Sequence, residues 1–217
     1  ADNPAGTNSV LMQRRSLFVT PQQRASAAFL SAYSRLRRAS DPVRVARETE
    51  GVVAALASFD PASSFGKHWY LLVAAAYEDC GLRPDAVRTY EAALKSRLPD
   101  FLLTHCGIQL SNLLIAEGLS LSAEQILDAL PETDNNKVRC RGLVSRAQLA
   151  WKLQKYEEAI QYATEAALES QEVETTQSAL RVLGDSYERS GNRLAAVYCF
   201  AGMVPHPQSG LQPVSHT

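Results

Sequence analysis

Two histidines and one cysteine are the residues that come nearest to a metal-binding pattern in this chain. His68 and His105 lie 37 residues apart, and Cys106 directly follows the second histidine. A protein zinc site needs three or four ligands in one small region. The sequence shows no further ligands that would complete such a set, so we expect these histidines to be surface residues or contacts to a peptide.

The other reactive side chains do not form a catalytic pattern either. Glu157 and Glu158 are adjacent at a predicted helix start, where carboxylates interact favourably with the helix dipole, and they do not resemble an acid–base pair. The chain has no G-x-S-x-G, no H-E-x-x-H and no phosphate-binding glycine loop. We therefore expect no enzyme activity and no cofactor. The four cysteines lack any C-x-x-C spacing and are expected to be reduced structural thiols; they are Cys80, Cys106, Cys140 and Cys199.

Composition indicates a soluble helical protein. The chain has 217 residues, of which 46% are hydrophobic and 21% charged, and β-branched runs are rare. A formal net charge of −1 gives no general attraction to nucleic acid. No apolar run approaches the roughly 20 residues that a membrane span needs. Reduced thiols favour a cytoplasmic location, with the nucleus as the alternative.

A stretch near the C-terminus predicts two helices that fold back on each other. Its first helix ends before Gly191, and a second helix follows Asn192. Small residues at Gly184 and Ala196 would let the two backbones approach, and the large Phe200 would fill the space beside them. One face of the first helix has the spacing i, i+3, i+4, i+7 and consists of Leu180, Leu183, Gly184 and Tyr187.

The same pattern recurs along the chain at nearly constant steps. An alanine takes the small position of the second helix four times, at steps of 37, 36 and 37 residues. The tyrosine position of the pattern, nine residues before each of these alanines, recurs at the same steps. These two series are Ala86, Ala123, Ala159, Ala196 and Tyr77, Leu114, Ala150, Tyr187.

This L-G-x2-Y pattern, with the string Tyr156–Ile160 (Y-E-E-A-I) opening a second helix, resembles the tetratricopeptide repeat (TPR) family. The period is two or three residues longer than the family's usual length of about 34. The resemblance implies an all-α fold, a right-handed superhelical solenoid of about five antiparallel helix pairs. It divides the chain into a flexible N-terminal segment (1–20), a repeat domain (21–203, with clear repeats over about 66–203) and a flexible proline-rich tail (204–217).

In TPR proteins the first helices of successive pairs line a concave groove. The resemblance places a set of mostly basic and amide side chains there, which favours an acidic peptide or a free carboxylate. Ordinary solvated surface charges are the alternative. The Lys–Asn pairs of the family's chaperone-binding carboxylate clamp are absent. The groove residues are expected to be Gln109, Asn112, Arg141, Gln148, Lys152, Arg181, Asp185 and Arg189.

The resulting prediction is a non-catalytic scaffold or adaptor that binds a peptide or helix of a partner protein in its groove. Two alternatives stay open: a structural subunit of a large assembly, and the regulatory TPR segment of a longer enzyme or transcription regulator. No nucleic acid or membrane partner is expected.

The C-terminal end of the repeat array carries a further expectation. A terminal repeat needs a polar outer face, and the prolines after Met203 exclude a capping helix. We expect this end to be covered by a second copy of the chain, by a partner subunit, or by the apolar segment Val10–Val19 of a neighbour. The apolar residues concerned are Leu194, Val197, Tyr198 and Phe200.

Overall fold

A computed structural model describes residues 20–57, 69–206 and 210–213, and in that part the chain is almost entirely helical. The predictions that concern Val10–Val19 and His68 lie outside the described residues. Two compact units divide the chain, one up to Ser96 and one from Arg97. The first unit contains α1 (Pro21–Leu36), α2 (Pro42–Leu56), α3 (Trp69–Asp79) and α4 (Arg83–Leu94). The second contains α5 (Asp100–Ala116), α6 (Ser120–Asp128), α7 (Asn136–Lys152), α8 (Tyr156–Glu169), α9 (Val173–Arg189), α10 (Arg193–Phe200), β1 (Met203–His206) and β2 (Gly210–Pro213).

The first unit is built from the helix pairs α1–α2 and α3–α4. Thr20 begins α1 with a capping box, in which its hydroxyl accepts from the Gln23 backbone and the Gln23 side chain accepts from the Thr20 backbone. The core between the helices contains the fully buried Phe29 and Val52. Tyr33 links α1 to α3, because its hydroxyl donates to Asp79 at 2.8 Å. Burial and this carboxylate raise the pKa of Tyr33, so its proton is retained.

The second unit is a series of contacting helices. α5 pairs with α6, α7 with α8, and α9 with α10. The first helices of these pairs also contact each other in order, α5 with α7 and α7 with α9. One hydrophobic core joins α7, α8, α9 and α10, and it contains Ala147, Ala163, Leu183 and Cys199.

Four tight turns join the two helices of a pair with the same geometry. In each, one residue has a positive φ: Gly81, Gly118 and Gly191 lie at +74°, +80° and +88°, and Gln154 lies at +61°. The next residue donates its N–H to the carbonyl five residues earlier, as from Leu82 to Tyr77 at 2.8 Å, which satisfies the end of the first helix in a Schellman motif. These positive-φ positions repeat at steps of 37, 36 and 37 residues, the same period as the predicted alanines.

The small residues of the pattern lie where helices approach closely. Three of the four alanines are completely buried and Ala196 is 3% exposed, as the spacing predicts. A Cβ added to Gly184 would lie 2.5 Å from the Phe200 ring, so α9 has no room for a side chain at this contact. Gly107 of α5 meets Leu130 in the same way, since a Cβ at this glycine would lie 2.3 Å from the leucine side chain.

A short antiparallel pair of strands follows α10. This pair was not predicted from the sequence. β1 and β2 pair in the register Met203 with Pro213 and His206 with Gly210. Val204 is 3% exposed and joins the core of α7–α10. The prolines here exclude a helix, but both members of a two-stranded ribbon are edge strands, where proline is tolerated.

Candidate functional site

The predicted groove residues lie on the three first helices of the second unit, α5, α7 and α9. α5 and α7 approach closely, because a Cβ on Gly142 would lie 3.4 Å from Ile108. Asn112 crosses between them, with its Oδ1 accepting from the Ser145 hydroxyl at 2.7 Å. The Asn112 carbonyl therefore connects two helices.

Arg141 of α7 is held by Glu172, which is the N-cap residue of α9. Its Nε and Nη2 atoms donate to the two carboxylate oxygens at 3.0 and 3.1 Å. Lys137 lies 3.6 Å from the same carboxylate, and the Thr175 hydroxyl donates to it at 3.1 Å. Burial tends to raise the pKa of Glu172, but Arg141, these hydrogen bonds and Lys137 outweigh it, so the net pKa is lowered. Glu172 therefore stays ionised and pairs with Arg141.

His105 and Gln109 form a partly buried polar pair on α5. The Gln109 amide nitrogen lies 3.5 Å from Nε2 of His105. Burial lowers the pKa of His105, and the charge of Arg141 lowers it further, while Glu172 opposes them. His105 is therefore neutral at pH 7 and adds no positive charge to this region.

The polar face of α9 differs from that of α7 in the surroundings of its arginines. Arg181, Asp185 and Arg189 are spaced four residues apart and share one side of the helix. Both arginines are exposed, and within the part of the chain that the structure describes neither forms an ion pair. Asp185 is half-buried; burial raises its pKa, Glu188 adds to this, and Arg181 and Arg189 oppose it.

Lys152 ends α7 beside an aromatic ring. Its ammonium group lies 5.6 Å from the centroid of the Trp151 ring, a cation–π geometry. The indole N–H of Trp151 is buried without a hydrogen-bond partner among the described residues. Gln148 lies one turn earlier on α7 and is half-buried.

The other arginines of α7 show the contrast with α9. Arg139 pairs with Glu165 and Glu169 of α8, and Arg146 pairs with Asp128 at 2.8 Å. With Arg141 bound to Glu172, every arginine of α7 has a carboxylate partner. Among the described ion pairs, the cations of α7 and α9 that lack one are Lys152, Arg181 and Arg189.

Sequence reasoning missed Glu172 and Ser145 as parts of this region. Glu172 precedes α9, and the signal that could have found it is an acidic residue at a helix start, where it interacts favourably with the dipole. Its pairing with Arg141, 31 residues earlier, has no sequence signal. Ser145 lies inside α7 and is fully buried, so only the contact with Asn112 reveals its role.

Comparisons with family models and with curated proteins found no match for this chain. Within residues 20–57, 69–206 and 210–213, no group of three or more histidine, cysteine or acidic residues is placed to hold a metal ion. None of the described helices combines the length and apolarity needed to cross a bilayer.

Proposed function

We propose that the chain is a TPR-like helical-repeat protein without catalytic activity, whose second unit binds an acidic segment of a partner protein on α7 and α9. The observation that carries this proposal is the pair of exposed arginines, Arg181 and Arg189, which form no ion pair among the described residues and lie on a helix next to one whose arginines are all paired. An arginine presents a fork of N–H donors that suits carboxylates, so two such arginines on one helix face favour an acidic ligand.

The repeat plan supports the assignment to this kind of protein. The left-handed turn residues and the buried alanines share one period, and the first helices of the second unit contact each other in order. In repeat proteins, helices stacked in this order form an extended binding surface. Lys152, Arg181 and Arg189 would then contact the ligand, and Gln148 would donate a hydrogen bond to its backbone.

Asp185 gives the surface its selectivity in this proposal. It stands one helical turn from each of the two arginines, so a uniformly acidic ligand would meet one repulsive position between two attractive ones. A segment with acidic residues separated by a neutral or basic one fits the order of charges on α9. Arg141 contributes less in this proposal, because its Nε and Nη2 atoms already donate to Glu172.

Binding of defined peptides to the full chain tests the proposal. The probe is a fluorescent twelve-residue peptide in which pairs of Asp and Glu alternate with Lys, compared with a Lys-rich peptide of equal length. We expect anisotropy to show binding of the acidic peptide, weakening as salt rises because exposed charges are screened. Arg181→Glu combined with Arg189→Glu should abolish it.

The matched control reverses two other exposed arginines, Arg83 and Arg97. These substitutions change the net charge by the same amount, so they should leave binding nearly unchanged if α9 forms the site. Equal loss in both double variants would show non-specific attraction. Binding that persists with Glu at positions 181 and 189 and with helicity intact would refute the site.

A further inference from the structure

A stripe of large apolar side chains on α10 faces solvent. Leu194, Val197 and Phe200 are 65%, 61% and 56% exposed, and they follow each other at intervals of three residues. Arg193 is the one charged residue of α10 and lies at its first position. Isolated exposed apolar residues are common, but a continuous uncharged stripe on one helix marks a contact surface.

Equivalent positions in the earlier pairs show that part of this stripe has lost its cover. Phe200 corresponds by period to Leu127 and Ala163, which are 1% and 0% exposed. Val197 corresponds to Ile160, which is half-buried against the core. Leu194 corresponds to Leu121, which is itself 73% exposed. The exposure of Leu194 alone is therefore no sign of a missing neighbour.

The cover in the earlier pairs comes from the helix that follows. α6 contacts α7, and α8 contacts α9, whereas α10 is followed by β1. β1 buries Val204 in the same cluster as Cys199, but leaves Val197 and Phe200 exposed. Within the described residues, α10 therefore lacks a helix-sized neighbour on its outer side.

We propose that this neighbour is α10 of a second copy of the chain, packed antiparallel about a two-fold axis that passes close to Val197. Leu194 and Phe200 each lie three residues from Val197, so an antiparallel copy places each leucine opposite the partner's phenylalanine. Such a contact is self-complementary, as a two-fold interface must be.

Charge also selects the antiparallel orientation. It brings Arg193 towards the carbonyl end of the partner helix, where the helix dipole is negative. A parallel orientation would instead place the two arginines and the two positive helix ends together. Three apolar side chains from each copy form the centre of this contact, so we expect a weak dimer that is populated at micromolar concentrations or above.

Disulfide trapping tests the geometry directly. In the full chain, Val197→Cys should form an intermolecular disulfide under mild oxidation at least about tenfold faster than Leu121→Cys, because the dimer holds the two thiols at high effective concentration. Leu121 is a fair control, since it is more exposed than Val197 and lies on the corresponding helix of another pair. The unsubstituted chain measures the background from its own thiols. Equal rates for the two variants would overturn the proposal.

Sedimentation velocity tests it without a new thiol. The full chain should shift from monomer to dimer between about 1 and about 200 µM, the range of weak complexes. Val197→Glu should remove the shift, Leu121→Glu should retain it, and both should melt like the parent because both positions are exposed. A monomer throughout, or a dimer unaffected by Val197→Glu, would refute the α10 contact. The Arg181→Glu and Arg189→Glu variant should still dimerise, which separates this proposal from the peptide-binding one.

Discussion

Replacing Gln154 by glycine should stabilise the second unit, and the size of the effect follows from the backbone conformation. Gln154 has φ of +61° at the turn between α7 and α8, where the other three turns carry glycine. The left-handed conformation costs a non-glycine residue about 1 kcal/mol or more. Removing this cost stabilises the folded state, but glycine offsets part of the stabilisation because it has more conformational freedom in the unfolded chain. We therefore expect Gln154→Gly to raise the free energy of unfolding by about 0.5–1 kcal/mol.

Nothing else at this position should offset the gain. The Gln154 side chain is exposed, and the turn's hydrogen bonds come from backbone atoms, with the Gln154 N–H donating to Trp151 at 3.0 Å and the Lys155 N–H to Ala150 at 2.9 Å. Glycine keeps these donors. The substitution therefore isolates the cost of the backbone conformation.

Urea unfolding followed by circular dichroism measures the effect. Gln161→Gly is the matched control, because Gln161 is an exposed glutamine inside α8, where glycine should destabilise by about 1 kcal/mol. Opposite signs for the two substitutions are expected. A loss of stability in Gln154→Gly would contradict the left-handed turn and with it the common geometry of the four turns.

Three further outcomes depend on burial and charge. Ala159→Glu should lower the free energy of unfolding in urea by about 3 kcal/mol, because it places a charge at a completely buried helix contact. Ala92→Glu, at an exposed position, should change it by less than about 0.5 kcal/mol. Similar values for the two substitutions would disprove the repeat register. The pKa of Glu172 is lowered in the folded state, so its ionised form stabilises the fold above pH 4.5, and this contribution is lost as the pH falls through the folded pKa. The difference in stability between the parent and Glu172→Gln should therefore shrink below pH 4.5. A difference that stays constant with pH would exclude the pairing with Arg141. Burial raises the pKa of Cys106 to about 12. Iodoacetamide at pH 8 should therefore label this residue in urea but not in the native protein, as measured by mass spectrometry. Rapid labelling of the native protein would place Cys106 at the surface.

The helical architecture and its core register could be predicted from spacing alone. Small residues recur because two backbones must approach, so Ala86, Ala123 and Ala159 indicate the contacts by their period, and all three are fully buried. Thr20 followed by Pro21 similarly predicts the start of α1, because the cap depends on local chemistry. Whether the pairs assemble into the superhelix implied by the TPR resemblance stays a prediction.

The details of the candidate site could not be predicted, because they depend on contacts between residues distant in sequence. The TPR resemblance places Arg141 in the groove, but its bidentate pairing with Glu172 is not indicated by any local pattern. Gln154 adopts a glycine-like conformation because the turn requires it, although its residue type disfavours it. The β1–β2 pair has no clear signal either, because the prolines exclude a helix without indicating which extended pairing they permit.

The most direct test of the proposed binding surface is an NMR titration of the full chain with the acidic twelve-residue peptide, following backbone and arginine side-chain signals. We predict saturable shifts concentrated at Lys152, Arg181 and Arg189, with little change at Arg139 and Arg146, whose guanidinium groups are already paired. Chemical-shift changes confined to other helices would show that α7 and α9 do not form the binding surface. The same conclusion would follow if no signals shifted at peptide concentrations that saturate binding in the anisotropy assay.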